Sequence, residues 1–292
     1  MFDFDGTLSE IVARPEDARL DPRLLAPLER LRRTRGQIAV VSGRDRATLT
    51  GLLPDGWAAL GSYGLELPPE LAASGHPEGF AAGAARAALA AAEGELRALL
   101  AGAPPDAGVT PNAGATAGAG IATPLHAPPD ATAPASPIAA ARLEVKAWGV
   151  ALHFRGSGAM PGPAALARVE DLARRRGLAL HPGRLVWELR PAAAVDKGWA
   201  VRFLAQRLSP AALLCFGDDL GDLPAFAATR ALATHAAGVP PPGSPAGAAL
   251  PAAAIGVASA EVPAERLRAA CDIVLPDRQA LVKFCEALAG EG

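Results

Sequence analysis

Two aspartates, Asp3 and Asp5, stand two residues apart, directly after an apolar start and before the turn residue Gly6. In a strand, residues two apart point to the same face, and glycine lets the chain leave the strand sharply. The pattern predicts two carboxylates at the mouth of a sheet, where open α/β folds bind ligands. One carboxylate can attack an electrophile while the other moves a proton, although Asp-Gly also marks ordinary turns.

A second group of carboxylates follows the apolar run 212–216 and consists of Asp218, Asp219 and Asp222. Carboxylates this close repel one another unless a cation joins them. Mg²⁺ takes oxygen ligands and keeps several waters, so one or two carboxylates plus a phosphate hold it. The cluster predicts a metal site, with a calcium loop or an acidic turn as the alternative.

A hydroxyl and a lysine are candidates for binding an anion. Ser42, followed by Gly43 and Arg44, ends another apolar run. A hydroxyl with nearby backbone N–H groups suits a phosphoryl oxygen, although Ser42 could instead be a helix N-cap. Lys197 begins a predicted helix, where a cation is unfavourable unless an anion is bound nearby. An ordinary exposed lysine is the alternative there.

Alternating strands and helices must position these residues. A helix over 20–33 has Asp21 as a plausible N-cap and recurring leucines on one face. Further helices are predicted over 45–53, 80–100, 164–176, 197–208, 263–270 and 278–288, and buried strands over 37–41, 212–216, 254–257 and 272–275. This alternation predicts an α/β fold with a mostly parallel sheet.

Two later segments carry charged residues with strand spacing. The segment 143–155 alternates, with Lys146 on one side and His153 and Arg155 on the other. Such a strand lines a polar pocket or forms an exposed sheet face. Glu188 and Arg190 also lie two apart on one face of a strand, where a surface charge pair is the alternative.

Composition narrows the class of protein. The chain has 292 residues, a net charge of −2 and 50% apolar residues, many of them alanine. That charge argues against a nucleic-acid or polyanion partner. The three cysteines lack metal-ligand spacing, and neither a signal peptide nor a membrane span is visible, so a soluble cytoplasmic protein is expected. No oligomeric state is predicted.

Taken in order, these groups resemble the four motifs of the haloacid dehalogenase-like (HAD) phosphatases. They are Asp-x-Asp-Gly-Thr-Leu from Asp3, Ser42 in Val-Val-Ser-Gly-Arg, Lys197 in Val-Asp-Lys-Gly, and the acidic run 217–222. The resemblance implies a Rossmann-like core with an inserted α+β cap domain. The sequence departs from the first HAD motif in one respect. Only Met1 and Phe2 precede Asp3, whereas relatives have several apolar residues there.

The resemblance also implies roles for the motif residues. Asp3 is the nucleophile that forms an aspartyl-phosphate, and Asp5 protonates the leaving oxygen and then activates water. Ser42 and Lys197 hold phosphoryl oxygens. Mg²⁺ is held by Asp3, Asp218 and the backbone carbonyl of Asp5, while Asp219 and Asp222 bind it through water or orient Lys197.

Several segments resemble the trehalose-6-phosphate phosphatase family more closely. Ser-Gly-Arg, a Gly-Ser-Tyr-Gly-Leu-Glu segment and Glu-Leu-Arg-Pro are similar to segments of that family, although Tyr63 replaces its usual histidine. The resemblance implies that the sugar phosphate is bound by Ser42, Gly43, Arg44, Glu66, Lys146, His153, Arg155, Glu188 and Arg190.

The resulting hypothesis is a Mg²⁺-dependent phosphatase that converts trehalose 6-phosphate to trehalose and phosphate in trehalose biosynthesis. Its catalytic core covers 1–70 and 191–292, and its cap covers 71–190 with a low-complexity insertion at about 101–141. One alternative is a phosphatase for sucrose phosphate or mannosyl-3-phosphoglycerate. Another is a catalytically impaired sugar-phosphate sensor, disabled by the short first strand.

Overall fold

The computed structural model describes residues 1–12, 14–72, 80–102, 138, 140–154, 160–183, 185–192, 195–233, 250–259, 262 and 264–290. The α-helices in these ranges are α1 (Pro22–Arg35), α2 (Arg46–Leu52), α3 (Pro69–Ala72), α4 (Ala82–Leu100), α5 (Pro163–Arg175), α6 (Lys197–Leu208), α7 (Leu223–Ala233), α8 (Ala264–Arg268) and α9 (Arg278–Gly290). The strands are β1 (Ala39–Val41), β2 (Ala58–Leu60), β3 (Arg142–Lys146), β4 (Gly149–His153), β5 (Leu178–Gly183), β6 (Val186–Pro191), β7 (Leu213–Gly217), β8 (Ala252–Val257) and β9 (Ile273–Leu275).

The chain forms two compact units. Unit 1 comprises Met1–Phe80 and Ala193–Gly292, and unit 2 comprises Ala81–Ala192. Unit 2 is therefore an insertion within the sequence of unit 1. Most of the predicted low-complexity insertion, and Arg155, lie outside the described residues. The assignment of the two parts as catalytic core and cap remains a prediction.

A parallel sheet runs through unit 1. Strand β1 pairs with β2, and β7 pairs with β8, which pairs with β9, all in parallel. Residues 1–3 lie between β1 and β7, where Phe2 bridges Val40 on one side and Phe216 on the other. The described strands of unit 1 thus follow the spatial order β2-β1-(1–3)-β7-β8-β9. Their continuous apolar sequences suit strands that are buried on both faces.

Helices cover both faces of this sheet. Successive strand residues belong to different apolar clusters: Val40 packs with residues of α1, α2 and α9, whereas Val41 packs with residues of α6. Cys215 of β7 packs with residues of α6 and α7. The predicted N-cap of α1 is confirmed, because Asp21 accepts a hydrogen bond from Arg23 N at 3.0 Å. The result is a doubly wound α/β core.

The central strand position is filled by very few residues. The Met1 ammonium donates to Leu214 O at 2.7 Å, and burial lowers the pKa of this amino group. Next to Met1 lies a cavity of about 700 Å³, lined mainly by apolar side chains of α1, α6, α9 and residues 210–214. Phe2 stacks on Phe216 with ring centroids 4.4 Å apart, which helps to hold the short segment in place.

Unit 2 has a four-stranded antiparallel sheet in the order β3-β4-β6-β5. Helices α4 and α5 contact this sheet and each other. Val150, Leu152, Trp187 and Leu189 are buried on its apolar face. This half-covered antiparallel sheet has the alternation of apolar and polar residues expected when one face packs against helices.

The prediction of one continuous strand over 143–155 was wrong. A turn at Ala147 and Trp148 divides the segment into β3 and β4, which pair in antiparallel register. Because the chain reverses, simple alternation does not continue across the turn. Lys146 and His153 therefore lie on the same sheet face, whereas the alternation had placed them on opposite faces.

Within the described residues, none of the helices combines the length and apolarity needed to cross a membrane. The three cysteines are buried and are not joined by disulfides. Burial raises the pKa of the Cys215 thiol to about 12.

Candidate active site

Asp3, Lys197 and Asp222 form a buried chain of charges. Asp3 leaves the central strand position, Lys197 begins α6, and Asp222 precedes α7. The Lys197 ammonium donates to Asp3 Oδ1 at 2.6 Å and to Asp222 Oδ1 at 2.7 Å. The exposed fractions of the side chains are 7% for Asp3, 5% for Lys197 and 2% for Asp222. The alternative of an ordinary exposed lysine is thereby excluded.

Asp218 enters the same cluster from the end of β7. Its Oδ1 accepts a hydrogen bond from the Thr7 hydroxyl at 3.1 Å. Gly6 lies directly against this carboxylate: its φ is +90°, and a Cβ there would stand 2.0 Å from Asp218 Oδ2. Only glycine combines this backbone conformation with this close approach. The predicted sharp exit from the strand is confirmed, and it brings the Asp-x-Asp turn onto the acidic loop.

Asp222 organises the acidic loop rather than presenting free oxygens. Its Oδ2 accepts hydrogen bonds from the backbone N–H groups of Asp218 at 3.0 Å and Asp219 at 3.2 Å. Its Oδ1 is taken by Lys197. The Asp219 carboxylate accepts from Gly221 N at 2.8 Å and completes a capping box. Asp222 thus orients Lys197, as one of its two predicted roles requires.

The electrostatics of the cluster follow from burial. Burial raises the pKa of Asp218 to about 7, and the neighbouring Asp222 and Asp219 add to the effect. Burial also raises the pKa of Asp3, against the opposing influence of Lys197. Burial alone would lower the pKa of Lys197, but Asp222 and Asp3 outweigh it and raise that pKa. One buried lysine does not neutralise all these carboxylates, so the cluster favours a cation.

The carboxylates of Asp3, Asp218 and Asp222 offer oxygens within 4.8 Å of one another. Since Asp222 already accepts from Lys197 and two backbone N–H groups, Asp3 and Asp218 are the carboxylates that fit a metal ion best. All three predicted ligands in this group are therefore brought together. The side chain of Asp5 accepts hydrogen bonds from Arg44, and that of Asp219 accepts one from Gly221 N.

Ser42 ends β1 at the same carboxyl edge of the sheet and is 1% exposed. Its hydroxyl accepts a hydrogen bond from Arg44 N at 3.2 Å. Helix α2 is capped instead by Asp45, which accepts from Thr48 N at 2.8 Å. The alternative role of Ser42 as the helix N-cap is therefore excluded.

Gly43 lies against the ring of Tyr63. A Cβ on Gly43 would stand 2.6 Å from the Tyr63 hydroxyl. Tyr63 has a φ of +61°, and its backbone N–H donates to Ser42 O at 2.8 Å. A left-handed conformation in a bulky residue requires support from its surroundings, and here it brings the tyrosine onto the Ser-Gly-Arg loop.

Arg44 and Asp5 form a two-pronged ion pair. Arg44 Nε donates to Asp5 Oδ2 at 2.8 Å, and Nη2 donates to Asp5 Oδ1 at 2.6 Å. The exposed fractions of the side chains are 12% for Arg44 and 42% for Asp5. Sequence reasoning assigned both residues separately to the site but did not predict their contact.

Glu66 supports the loop that carries Tyr63. It accepts a hydrogen bond from the Ser62 hydroxyl at 2.5 Å, and its other oxygen accepts from Arg46 N at 3.4 Å. Contact between Glu66 and the substrate remains a prediction.

The contribution of Thr7 to the site was not predicted, because a threonine after Asp-Gly gives no sign of which distant carboxylate it will contact.

In unit 2 the strand register places a row of polar residues on one sheet face. These residues are Arg142, Glu144, Lys146, His153, His181, Glu188 and Arg190. We call this set the polar sheet face. The small residues Gly149, Ala151 and Ala179 lie among them on the same face.

Two pairs organise the polar sheet face. Lys146 Nζ donates to Glu188 Oε1 at 2.8 Å, and His153 Nε2 lies 2.5 Å from Glu144 Oε2. Burial, and then the charge of Arg190, lower the pKa of His181 to about 4. Glu144 and His181 were not predicted as site residues, since only the cross-strand register reveals that they share this face.

The fold of this chain can be compared with those of solved structures. A solved structure described as the C-terminal domain of a C. albicans trehalose-6-phosphate phosphatase matches with a TM-score of 0.59 and 19% identity, covering 99% of this chain and 90% of that one. At this identity the likeness establishes the fold. The predicted HAD-like α/β fold is confirmed.

Sequence similarity narrows the class. The model of the family "Trehalose-phosphatase" matches residues 1–57. A trehalose-phosphate phosphatase from Mycobacterium tuberculosis is 34% identical over 233 residues, which are 77% of this chain and 49% of that protein. An uncharacterised glycosyl hydrolase from the same organism is 35% identical over 239 residues, 78% of this chain and 15% of that protein.

The predicted resemblance to trehalose-phosphate phosphatases of the HAD superfamily is thus confirmed. The chain spans about half the length of the curated trehalose-phosphate phosphatase that it matches, and a smaller share of the glycosyl hydrolase.

Proposed function

We propose that this chain is a phosphoric monoester hydrolase of the trehalose-phosphatase type, which releases phosphate from trehalose 6-phosphate in trehalose biosynthesis. The observation that carries the proposal is the buried Asp3–Lys197–Asp222 chain beside Asp218. This arrangement offers a carboxylate nucleophile, a fixed cation and a place for a metal ion at the carboxyl edge of a parallel sheet. The sequence similarity supplies the substrate class.

Asp3 attacks the phosphorus atom through a carboxylate oxygen, and the bond from phosphorus to the sugar oxygen breaks. Asp5 gives a proton to the departing sugar oxygen. It then takes a proton from water, and that water attacks the phosphorus of the aspartyl-phosphate, which frees phosphate and restores Asp3. Two easier steps replace one difficult step.

Ser42 and Lys197 bind the oxygens of the transferring phosphoryl group. The Ser42 hydroxyl accepts from Arg44 N and still has a proton to donate to a phosphoryl oxygen. The Lys197 ammonium is oriented by Asp222 and carries a positive charge where negative charge must be balanced. Because phosphoryl transfer depends mainly on positioning and charge neutralisation, these fixed contacts supply much of the catalysis.

The residues present fit a Mg²⁺ ion. Asp3 and Asp218 would hold the ion through carboxylate oxygens, and the backbone carbonyl of Asp5 is the further ligand that we assign. When bound, the ion balances the charge of the phosphoryl group and of the clustered carboxylates. The raised pKa of Asp218, about 7, is consistent with this fit, because buried carboxylates without a cation retain protons.

The polar sheet face supplies the groups that recognise the sugar. Glu188 and Lys146 offer an acceptor and a donor held in a fixed pair, as hydroxyl recognition requires. His153 and Arg190 share the same face. Gly43, Arg44 and Glu66 complete the proposed substrate set in unit 1. Sucrose phosphate or mannosyl-3-phosphoglycerate is the alternative substrate, and a sugar-phosphate sensor without turnover is the alternative class.

Phosphate release tests the proposal, measured with Mg²⁺ on trehalose 6-phosphate, sucrose 6-phosphate, glucose 6-phosphate and mannosyl-3-phosphoglycerate. We expect a strong preference for trehalose 6-phosphate and loss of activity in EDTA. Preference for another ester would retain the reaction and overturn the substrate. A folded protein that binds trehalose 6-phosphate but releases no phosphate from any ester would be a sensor instead. The cytoplasmic location and the absence of nucleic-acid and membrane partners remain predictions.

A further inference from the structure

Arg44 is anchored much more firmly than the carboxylate it binds. Its backbone N–H donates to the Ser42 hydroxyl at 3.2 Å, and its carbonyl accepts from Ser62 N at 2.8 Å. Its guanidinium lies 5.5 Å from the centre of the Phe4 ring. Asp5, by contrast, has 42% of its side chain exposed, against 12% for Arg44. If the pair opens, Asp5 is therefore the partner that moves.

While the Arg44–Asp5 ion pair is intact, Asp5 cannot transfer a proton and Arg44 cannot bind a phosphoryl group, which are the roles proposed for them. Both Asp5 oxygens accept hydrogen bonds from the guanidinium, so both are engaged while the pair is intact. The same guanidinium edge is the part of Arg44 that would bind a phosphoryl group. A guanidinium binds carboxylate and phosphate in the same two-pronged manner, so the two anions compete for one donor pair.

We propose that Arg44 is a positioning residue that exchanges Asp5 for a phosphoryl group. Without phosphate, Arg44 holds the Asp5 carboxylate. When a phosphoryl oxygen binds to Arg44, Asp5 is released, takes a proton from water and delivers it to the leaving oxygen. The inference rests on the proposed function only in that the site accepts a phosphoryl group. It goes further by making the arrival of that group the event that frees the proton-transferring residue.

The difference in burial between Arg44 and Asp5 favours replacement of the Asp5 carboxylate by phosphate. Arg44 has little access to water, so its charge needs an anion at all times. Asp5 can turn to water, which solvates a carboxylate well, and therefore loses little when it leaves. A phosphate dianion also offers more negative charge than one carboxylate, which favours the exchange.

The test is a double-mutant cycle on the affinity for inorganic phosphate, measured by calorimetry in excess Mg²⁺. The proteins are the wild type, Asp5→Asn, Arg44→Gln and the double variant. We expect Asp5→Asn to tighten phosphate binding by roughly fivefold, as for a partly exposed ion pair, when Arg44 is present. The same change in the Arg44→Gln background should leave the affinity unaltered.

An equal gain in both backgrounds would overturn the exchange, because it would reflect only the loss of one negative charge from the site. No gain in either background would overturn it too. Arg44→Lys is the conservative control: it keeps the charge but lacks the two-pronged edge, so it should retain phosphate binding and lose most of the coupling to Asp5. Thermal unfolding of each variant confirms that the comparison is made on folded protein.

The exchange and the proposed function can fail separately. Hydrolysis of the sugar phosphates by the wild type, without coupling in the cycle, would reject the exchange alone. Coupling in the cycle without hydrolysis of any ester would reject the proposed phosphatase alone.

Discussion

The acidic cluster of unit 1, formed by Asp3, Asp218, Asp222 and Lys197, differs from the polar sheet face of unit 2 in the burial of its charged groups. In the cluster, the Lys197 ammonium and both of its carboxylate partners are at most 7% exposed. On the face, His153 and Glu144 are 22% and 38% exposed, and Lys146 and Glu188 are 19% and 10% exposed. Asp3 and Lys197 are 194 positions apart in sequence, whereas the pairs on the face join neighbouring or nearby strands.

This difference indicates two kinds of task. A buried cluster whose lysine is fixed by two carboxylates is preorganised and strongly interacting, as is needed where charge develops during a reaction. A partly wet face can exchange its internal pairs for the hydroxyl groups of a ligand at little cost. Substitutions in the cluster should therefore alter turnover and stability together, while substitutions on the face should alter recognition.

The largest effect is expected for Asp3→Asn. The amide keeps the shape of the carboxylate but removes the nucleophile, so turnover of trehalose 6-phosphate should fall by about 10³-fold or more. Phosphate release measures the loss, and circular dichroism checks that the variant is folded. Activity within tenfold of the wild type would remove Asp3 from the role of nucleophile.

Lys197→Met tests whether the cluster depends on its single buried ammonium. The substitution leaves Asp3 and Asp222 buried without their shared partner, which should lower the free energy of unfolding by about 3–5 kcal/mol. Urea unfolding in EDTA measures the change. Lys283→Met, at an exposed position on α9, is the matched control and should stay within about 0.5 kcal/mol. Similar effects of the two variants would contradict a stabilising role for the buried Lys197 ammonium.

The pH dependence of stability tests the electrostatics of Asp218. Its pKa in the folded state, about 7, lies above the ordinary value of 3.8, so between these values the folded state holds a proton that the unfolded state has lost. This carboxyl therefore favours folding at low pH, and its contribution is lost as pH rises through about 7, by up to about 4 kcal/mol.

Urea unfolding in EDTA between about pH 4 and pH 8 measures this dependence, with Asp218→Asn as the comparison. The wild type should lose stability relative to the variant as pH rises. A difference that stays flat, or that grows in favour of the wild type, would contradict the assignment. Excess Mg²⁺ should flatten it, since metal binding favours the ionised carboxylate.

The smallest effect is expected on the polar sheet face. Glu188→Gln weakens the pair with Lys146 and removes a charged acceptor, so KM for trehalose 6-phosphate should rise about tenfold with little change in kcat. Hydrolysis of p-nitrophenyl phosphate, which has no sugar, should be unchanged. Glu170→Gln on the exposed side of α5 is the matched control. A loss that is equal for both esters would indicate a structural role for Glu188.

The parts that sequence predicted best are those with a local signature. Asp21 precedes a helix as its predicted N-cap, and short apolar runs followed by Ser42 or Asp218 mark buried parallel strands. The motif residues could be placed at one sheet edge because parallel strands end there together.

What could not be predicted depends on contacts across the fold. The Arg44–Asp5 pair joins residues 39 positions apart, and the Thr7–Asp218 contact joins residues 211 positions apart. The segment 143–155 was misinterpreted because its residues alternate evenly on both sides of the turn, so periodicity gave no sign of the reversal at Ala147 and Trp148.

The segment that carries Asp3, the proposed nucleophile, also joins the two parts of the unit 1 sheet. The backbone N–H of Phe2 donates to Ala39 O, and that of Asp3 donates to Phe216 O, so the segment pairs with strands encoded by widely separated stretches of the chain. Such non-local pairing forms late, because the loops it closes are long and their entropy must be lost first. The complete site should therefore appear only in the last folding step. Partly folded chains would hold neither Asp3 nor Lys197 in place, so the proposed phosphatase activity should recover no sooner than the complete sheet.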